Sequence, residues 1–187
     1  MVTIRPAAHS DLPQIQSINT YYIQNTSLTF KQTPPPASTH AAKLSDQTAR
    51  GLPYLVAIED NTGTANESNQ VLGYASLSPF RGHLASYAPT VELTLFVHPD
   101  HQSRGVGSSL LTALLDRVRK GEVRHRPGEE GVPDSPGDGV PVRNVLAVMA
   151  VDPEGMDGGE ALRSWYLQRG FVERGRLVGI GFKRGHW

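Results

Sequence analysis

No cysteine occurs in the 187 residues, which removes disulfides, thiolate metal sites and a cysteine nucleophile from consideration. No stretch approaches the roughly 20 apolar residues of a membrane span. The opening Met1-Val2-Thr3-Ile4-Arg5-Pro6 has no apolar run behind it to serve as a secretion signal. A charge excess is missing too: 18 Lys+Arg balance 18 Asp+Glu, so no overall basic surface invites nucleic acid. His-Glu-x-x-His is absent, and His98-x-x-His101 falls on a turn, so no metal is expected. Neither a Gly-x-Ser-x-Gly elbow nor a Gly-Lys-Ser/Thr phosphate loop is present. These absences leave a soluble cytoplasmic protein as the expectation, with no membrane and no nucleic acid as partner.

What is present suits one domain with a sizeable core: 38% of residues are hydrophobic and 19% charged. Residues 2–6 read as an edge strand stopped by Pro6. Ser10 reads as the N-cap of a helix to about Gln24, with Leu12, Ile15, Ile18 and Tyr22 on one face. After Pro34-Pro35-Pro36, Ser38 is expected to cap a second helix ending near Gly51. Tyr54–Glu59 and Val71–Ser78 read as paired antiparallel strands joined by a polar loop over 60–70. Gly121 to Val142, rich in Gly, Pro and acidic residues, reads as a mobile surface loop inserted in a single domain, 1–187. Asn144–Val151 reads as a buried strand, Glu160–Arg169 as a helix ended by Gly170, and Phe171 onward as a last strand.

The most informative segment is Gln102-Ser103-Arg104-Gly105-Val106-Gly107-Ser108. Before it lies the strand-like Val91-Glu92-Leu93-Thr94-Leu95-Phe96-Val97; after it, Leu110, Leu111, Leu114 and Val118 keep helical spacing. The first N–H groups of a helix lack intrahelical partners and carry the positive end of its dipole. Glycines there let a ligand approach the main chain, and Arg104 adds a cation. A phosphate or pyrophosphate is the expected guest; a bare structural turn is the alternative.

In this setting Gln102-x-x-Gly105-x-Gly107 resembles the acetyl-CoA pyrophosphate loop of the GNAT N-acetyltransferases, and Tyr166-Leu167-Gln168-Arg169-Gly170-Phe171 resembles their Tyr-x-x-x-Gly-Phe. The likeness extends to the phosphinothricin N-acetyltransferase branch through four further segments. They are Ile4-Arg5-Pro6-Ala7 with Asp11-Leu12, Asn25-Thr26 with Thr29-Phe30, Tyr87-x-x-Thr90-Val91-Glu92-x-Thr94-x-Phe96-Val97, and Gly181-Phe182-Lys183-x-Gly185-x-Trp187. The resemblance implies an α/β fold, a twisted and mainly antiparallel mixed sheet with helices on both faces. It also implies acetyl-CoA as co-substrate, a small-molecule amine such as phosphinothricin or methionine sulfone or sulfoximine, and a homodimer.

Acetylating an amine requires removing its proton, and Glu92 in an apolar strand is the candidate base; the alternative is a carboxylate left in solvent. Tyr166 is the candidate acid for the leaving thiolate, against a purely packed tyrosine beside Trp165. Leu95, Phe96 and Val97 form the expected docking edge for the pantetheine arm, like an added strand, with a β-bulge opening the sheet. Gln102 through Ser108 would hold the pyrophosphate. Arg81, whose guanidinium fork fits a carboxylate or phosphinate, and Tyr87 are candidates for an acidic substrate, with His83 standing where a second arginine is usual in the branch. Phe30 would line the same pocket, against a role in the core.

Some positions depart from the branch. Gly159 and Leu162 stand near positions where the branch has Asn and Ser. The branch continues into a final strand past its tryptophan, so that strand is expected to be either missing here or supplied otherwise, for instance by a partner subunit. A peptide N-acetyltransferase, or a CoA-binding module without catalysis, are the competing functions.

Overall fold

The computed structural model describes residues 2–59, 70–130 and 138–186, so most of the expected 60–70 loop, the centre of the 121–142 segment and Trp187 lie outside the described residues. The chain divides into two compact units, one of residues 1–18 and 35–148, the other of residues 19–34 and 149–187.

The first unit is built on five strands. They are β1 (Val2–Pro6), β2 (Tyr54–Glu59), β3 (Val71–Pro79), β4 (Thr90–Val97) and β7 (Asn144–Leu146), in spatial order β1-β2-β3-β4-β7. The first four pair antiparallel, and β7 joins β4 in parallel. A separate pair, β5 (Arg124–His125) and β6 (Val140–Pro141), lies within the segment expected to be a loop. Its apolar ends explain this: Val123 and Val142 are buried, and the Val142 N–H donates to the Val123 carbonyl at 3.1 Å.

Alternation along β3 places helices on opposite faces of the sheet. Gly73, Ala75 and Leu77 face helix α3 (Val106–Arg119), which buries Val106, Leu110, Leu111 and Leu114. On the other face Tyr54, Tyr74 and Phe96 form a ladder with ring centroids 5.9 and 5.7 Å apart. Helix α2 (Ala37–Ala49) covers that side, and its Gln47 donates to the Leu77 carbonyl and to Ser78 Oγ at 2.7 and 3.1 Å. Seven of the nine β3 residues are buried, as expected for a strand covered on both sides.

Helix α1 (Leu12–Asn25) begins one turn after β1. Ser10 does not cap it. Asp11 does the equivalent work: its carboxylate takes the Ala8 N–H at 2.8 Å and a two-pronged bond from Arg5 at 2.7 and 2.8 Å. Burial alone would raise the Asp11 pKa, but the Arg5 and Ala8 bonds and the Arg5 charge outweigh it and hold it below the usual carboxylate value. The stability this contributes is present at neutral pH and is lost as the pH falls through the depressed value. Ser38 caps nothing either, since α2 starts after Pro36, whose fixed φ suits a helix entrance.

In the second unit, helix α4 (Glu160–Leu167) follows a turn in which Asp157, Gly158 and Gly159 all have positive φ. The expected strand over Asn144–Val151 is shorter: only Asn144–Leu146 pairs, in the first unit. The strand expected from Phe171 does not form among the described residues. Gly170, Gly175, Gly179, Gly181 and Gly185 interrupt it, Val172, Leu177, Val178 and Ile180 stay exposed, and only a Lys183–His186 bridge appears. A strand without a partner to pair with gains no ladder hydrogen bonds.

The closest backbone approach in the sheet predicts a stability effect. A Cβ on Gly73 would sit 2.8 Å from the Phe96 carbonyl oxygen and 3.3 Å from Leu110. Gly73→Ala is expected to cost about 1–3 kcal/mol, read as a lower urea midpoint; an unchanged midpoint contradicts this packing.

Candidate active site

The site in the first unit starts from the way β7 leaves β4. Their pairing covers only Thr90, Val91 and Glu92, opposite Asn144, Val145 and Leu146. Past Glu92, no strand lies on the outer edge of β4 among the described residues. The His98 N–H donates to the Leu72 carbonyl at 2.8 Å, which sets the alternation. Thr94 and Phe96 turn their main-chain groups to β3, while Leu95 and Val97 turn theirs outward. The structure thus separates the three expected docking residues: Leu95 and Val97 present main-chain groups to the edge, whereas those of Phe96 face Tyr74, its register partner. The expected β-bulge is not in β4, whose register with β3 runs unbroken from Gly73–Val97 to Pro79–Val91; the shift lies in β2, between Ala57 and Ile58. The edge opens because β7 stops.

Glu92 sits where that opening begins. Its register partners are Ser78 and Leu146, it is half-buried, and its carboxylate has no hydrogen-bond partner among the described residues. Glu92 and Val97 are separated by five residues, roughly 17 Å at the usual strand rise.

At the far end of β4, a turn at Pro99–His101 leads into Gln102-Ser103-Arg104-Gly105. Ser103 and Gly105 have φ of 59° and 79°, and Gly105 is the N-cap of α3 with no side chain to satisfy the helix's first amides. Val106 is buried, anchoring the helix start, while Gly107 and Ser108 continue it at half-buried positions. Arg104 is exposed and touches His101 Nδ1 at 3.2 Å. An exposed N-terminus of a 14-residue helix, entered through left-handed residues, is chemically suited to an anion.

Three predicted substrate residues come together on the β3–β4 connection, at the Glu92 end of the sheet. Arg81 (φ 53°) and His83 are exposed, and Tyr87 packs edge-on against Phe80 with centroids 5.3 Å apart. Among the described residues no cluster of three His, Asp or Glu side chains forms a metal site.

The second unit holds Tyr166 and Phe30. On α4, Tyr166 is flanked by Trp165 at 5.0 Å and Phe171 at 5.2 Å. Gly170 (φ 85°) ends the helix and folds Phe171 back, which is the physical content of the Tyr-x-x-x-Gly-Phe pattern. Burial pushes the Tyr166 phenol up to about 12, so it holds its proton at neutral pH. Phe30 is half-exposed and lies over Gly181, where a Cβ would meet its ring at 2.6 Å. Gly159 leaves no room for a side chain: its φ is 87° and a Cβ would fall 2.6 Å from the Asp152 carbonyl oxygen.

Sequence reasoning did not assign the contacts of two groups of residues, although it quoted Lys183 as part of the C-terminal pattern. Lys183 is buried and donates to the Thr29 carbonyl at 2.7 Å, and Asp152 accepts the Ser27 N–H at 3.1 Å. The Lys183 bond ties the chain beside Phe30 to the Gly-Phe-Lys segment, so that hallmark is a strut as well as a signature, and the Asp152 bond ties the same turn to the stretch before α4. In the first unit, His125 is 1% exposed and bonds the Ala88 carbonyl at 3.0 Å through Nδ1. The alternation of buried Val123, half-exposed Arg124 and buried His125 was the available signal.

Burial, together with the charges of Arg50 and His83, lowers the His125 pKa from its ordinary 6.5, against opposing contributions from the Ala88 bond and Asp46. A histidine kept neutral by the fold stabilises it above the unfolded value and loses that contribution as pH falls below it. Urea midpoints of the wild type are therefore expected to drop between about pH 7 and 5 more steeply than those of His125→Asn. Parallel slopes contradict this.

Comparison with known proteins agrees with this geometry. The acetyltransferase (GNAT) family model matches residues 19–126, more than half of the chain. The phosphinothricin N-acetyltransferase of Alcaligenes faecalis is 29% identical over 99% of this chain and 77% of its own length. The L-methionine sulfoximine/L-methionine sulfone acetyltransferase of Pseudomonas aeruginosa is 33% identical over 63% of each. A solved GNAT phosphinothricin acetyltransferase from Sinorhizobium meliloti, in complex with acetyl-CoA, is 28% identical with a TM-score of 0.73, covering 100% of this chain and 83% of that one.

Proposed function

The chain belongs to the GNAT acetyltransferase family, and on that premise we propose that it transfers an acetyl group from acetyl-CoA to the amino group of a small amino-acid-like substrate. The observation that carries the proposal is the β4 edge left open past Glu92, leading to the uncapped start of α3. Outward main-chain groups at Leu95 and Val97 suit an amide-bearing pantetheine arm, which pairs as a strand does. The amides following Gly105, with Gln102, Ser103 and Arg104 beside them, suit the pyrophosphate. The relatives' names favour a substrate of the phosphinothricin or methionine sulfone or sulfoximine type.

In this reading Glu92, directly or through a water, accepts the proton of the substrate ammonium, freeing the nitrogen lone pair to attack the thioester carbon. The N–C bond forms as the C–S bond breaks, and Tyr166 donates its phenolic proton to the departing thiolate. The surplus proton on the acylated nitrogen then passes, directly or through water, to the Tyr166 phenolate, and Glu92 returns its proton to solvent. With no cysteine in the chain to carry the acyl group, transfer is direct. Arg81 and Tyr87 engage the anionic end of the substrate, with His83 beside them, and Phe30 contacts its apolar part. A homodimer working in the cytoplasm is part of the proposal, supported by the family resemblance.

Release of thiol from acetyl-CoA, measured against a panel of amino acids and their sulfone and phosphinate analogues, tests the activity. Glu92→Gln is expected to lower kcat by about 100-fold or more, and Tyr166→Phe by a comparable factor. A loss below about threefold in either variant removes that residue from its role.

A further inference from the structure

Residues 123–130 have no role in the reaction described above, yet His125 and Glu129 among them hold the connection that carries Arg81, His83 and Tyr87. We propose that Glu129 and His125 are positioning residues for the amine substrate, fixing the Arg81–Tyr87 connection through bonds to Ala85 and Ala88.

The contacts form a chain that starts at α2. Arg126 N–H donates to the Arg50 carbonyl at 3.0 Å, and Arg126 Nε to the Ala49 carbonyl at 3.1 Å. Arg50 Nη1 in return bonds the carbonyls of Arg126 and Pro127. Residues 126 and 127 are thereby held to the end of α2, whose His40, Leu44 and Gln47 are buried. Two side chains reach out from this anchored stretch. Glu129 Oε2 accepts the Ala85 N–H at 2.7 Å, at the start of the single helical turn Ala85–Tyr87. His125 meets the Ala88 carbonyl at 3.0 Å, at the end of that turn. A carbonyl only accepts, so Nδ1 carries the proton, and buried Nε2 is left without a partner among the described residues. Just beyond, the N–H groups of Arg143 and Asn144 converge on the Pro89 carbonyl at 2.8 and 3.0 Å.

The turn is therefore held at both ends by a part of the chain outside the sheet. It needs that support. Arg81 and Gly82 both have positive φ, and Leu84 and Tyr87 are largely exposed, so the connection has little burial of its own to hold one conformation. A bond from an ionised carboxylate to a main-chain N–H is among the stronger hydrogen bonds available for this purpose.

The inference rests on the reading of Arg81 as the contact for the substrate's anionic end, and the experiment separates the two. In Glu129→Ala, the KM for the amine is expected to rise about tenfold, while the KM for acetyl-CoA stays within about twofold and the Ala85 amide exchanges about tenfold faster. Glu129→Gln, whose amide oxygen still accepts, is expected to recover most of both effects. If Arg81→Ala raises the amine KM and Glu129→Ala does not, the positioning role is overturned. If neither variant moves the amine KM, the substrate reading fails, and exchange at Ala85 then decides the contact itself: an unchanged rate overturns it. His125→Asn, which keeps a donor, is expected to leave the amine KM within about threefold and His125→Ala to raise it. Should the alanine variant not fold, the Glu129 pair decides alone.

Discussion

The part of the candidate site that lies in the first unit follows from where one short strand stops. β7 accompanies β4 for three residues, from Thr90 to Glu92, and among the described residues no strand follows it. A sheet edge inside a protein is ordinarily covered or paired, because its main-chain donors and acceptors otherwise stay unsatisfied. Here the opening begins at the one carboxylate of β4 and runs toward the start of α3. A single strand thus supplies a carboxylate at one end, outward main-chain groups in its middle, and the entrance to a helix N-terminus at the other. Gly73 is part of the same arrangement, since β3, β4 and α3 pack too closely there for any side chain.

Much of this was legible in the sequence because the responsible features are local. The β-branched run before Gln102 and the helical spacing after Val106 identify strand, turn and helix without tertiary information. The Tyr166–Phe171 pattern is equally local, since it records a helix stop and a ring folded back on its own turn. The strands at Tyr54 and Val71 were recognisable because both are largely apolar. What escaped prediction depends on partners distant in sequence. The caps at Ser10 and Ser38 looked sound by residue type. Asp11 took over at the first helix because Arg5 on the neighbouring strand reaches it, and Pro36 opened the second. The bulge expected in β4 was unnecessary, because the end of a parallel neighbour opens an edge without disturbing the antiparallel register. Composition misled most over 121–142, where glycine, proline and acidic residues mask a short strand pair held by Val123 and Val142.

The two units also show how a recognised pattern can carry structural work that its chemistry does not suggest. Arg5 and Asp11, part of the opening resemblance, make a two-pronged ion pair that ties β1 to the start of α1. Lys183, from the C-terminal hallmark, spends its ammonium on the Thr29 carbonyl, one residue from Phe30. Gly159 lies near a position that is polar in the resembled branch, and the adjoining Asp152 main chain leaves no room for a Cβ on it. In each case the family pattern located the residue, and only the packing said what it touches.

Amide hydrogen exchange with and without acetyl-CoA tests the central claim most directly. The account predicts that the co-substrate slows exchange at Leu95 and at the amides following Gly105, by about tenfold or more at saturation, while Thr94 and Phe96, already bonded to β3, change little. Equal protection of Thr94 and Leu95, or no change at either Leu95 or the start of α3, would contradict it.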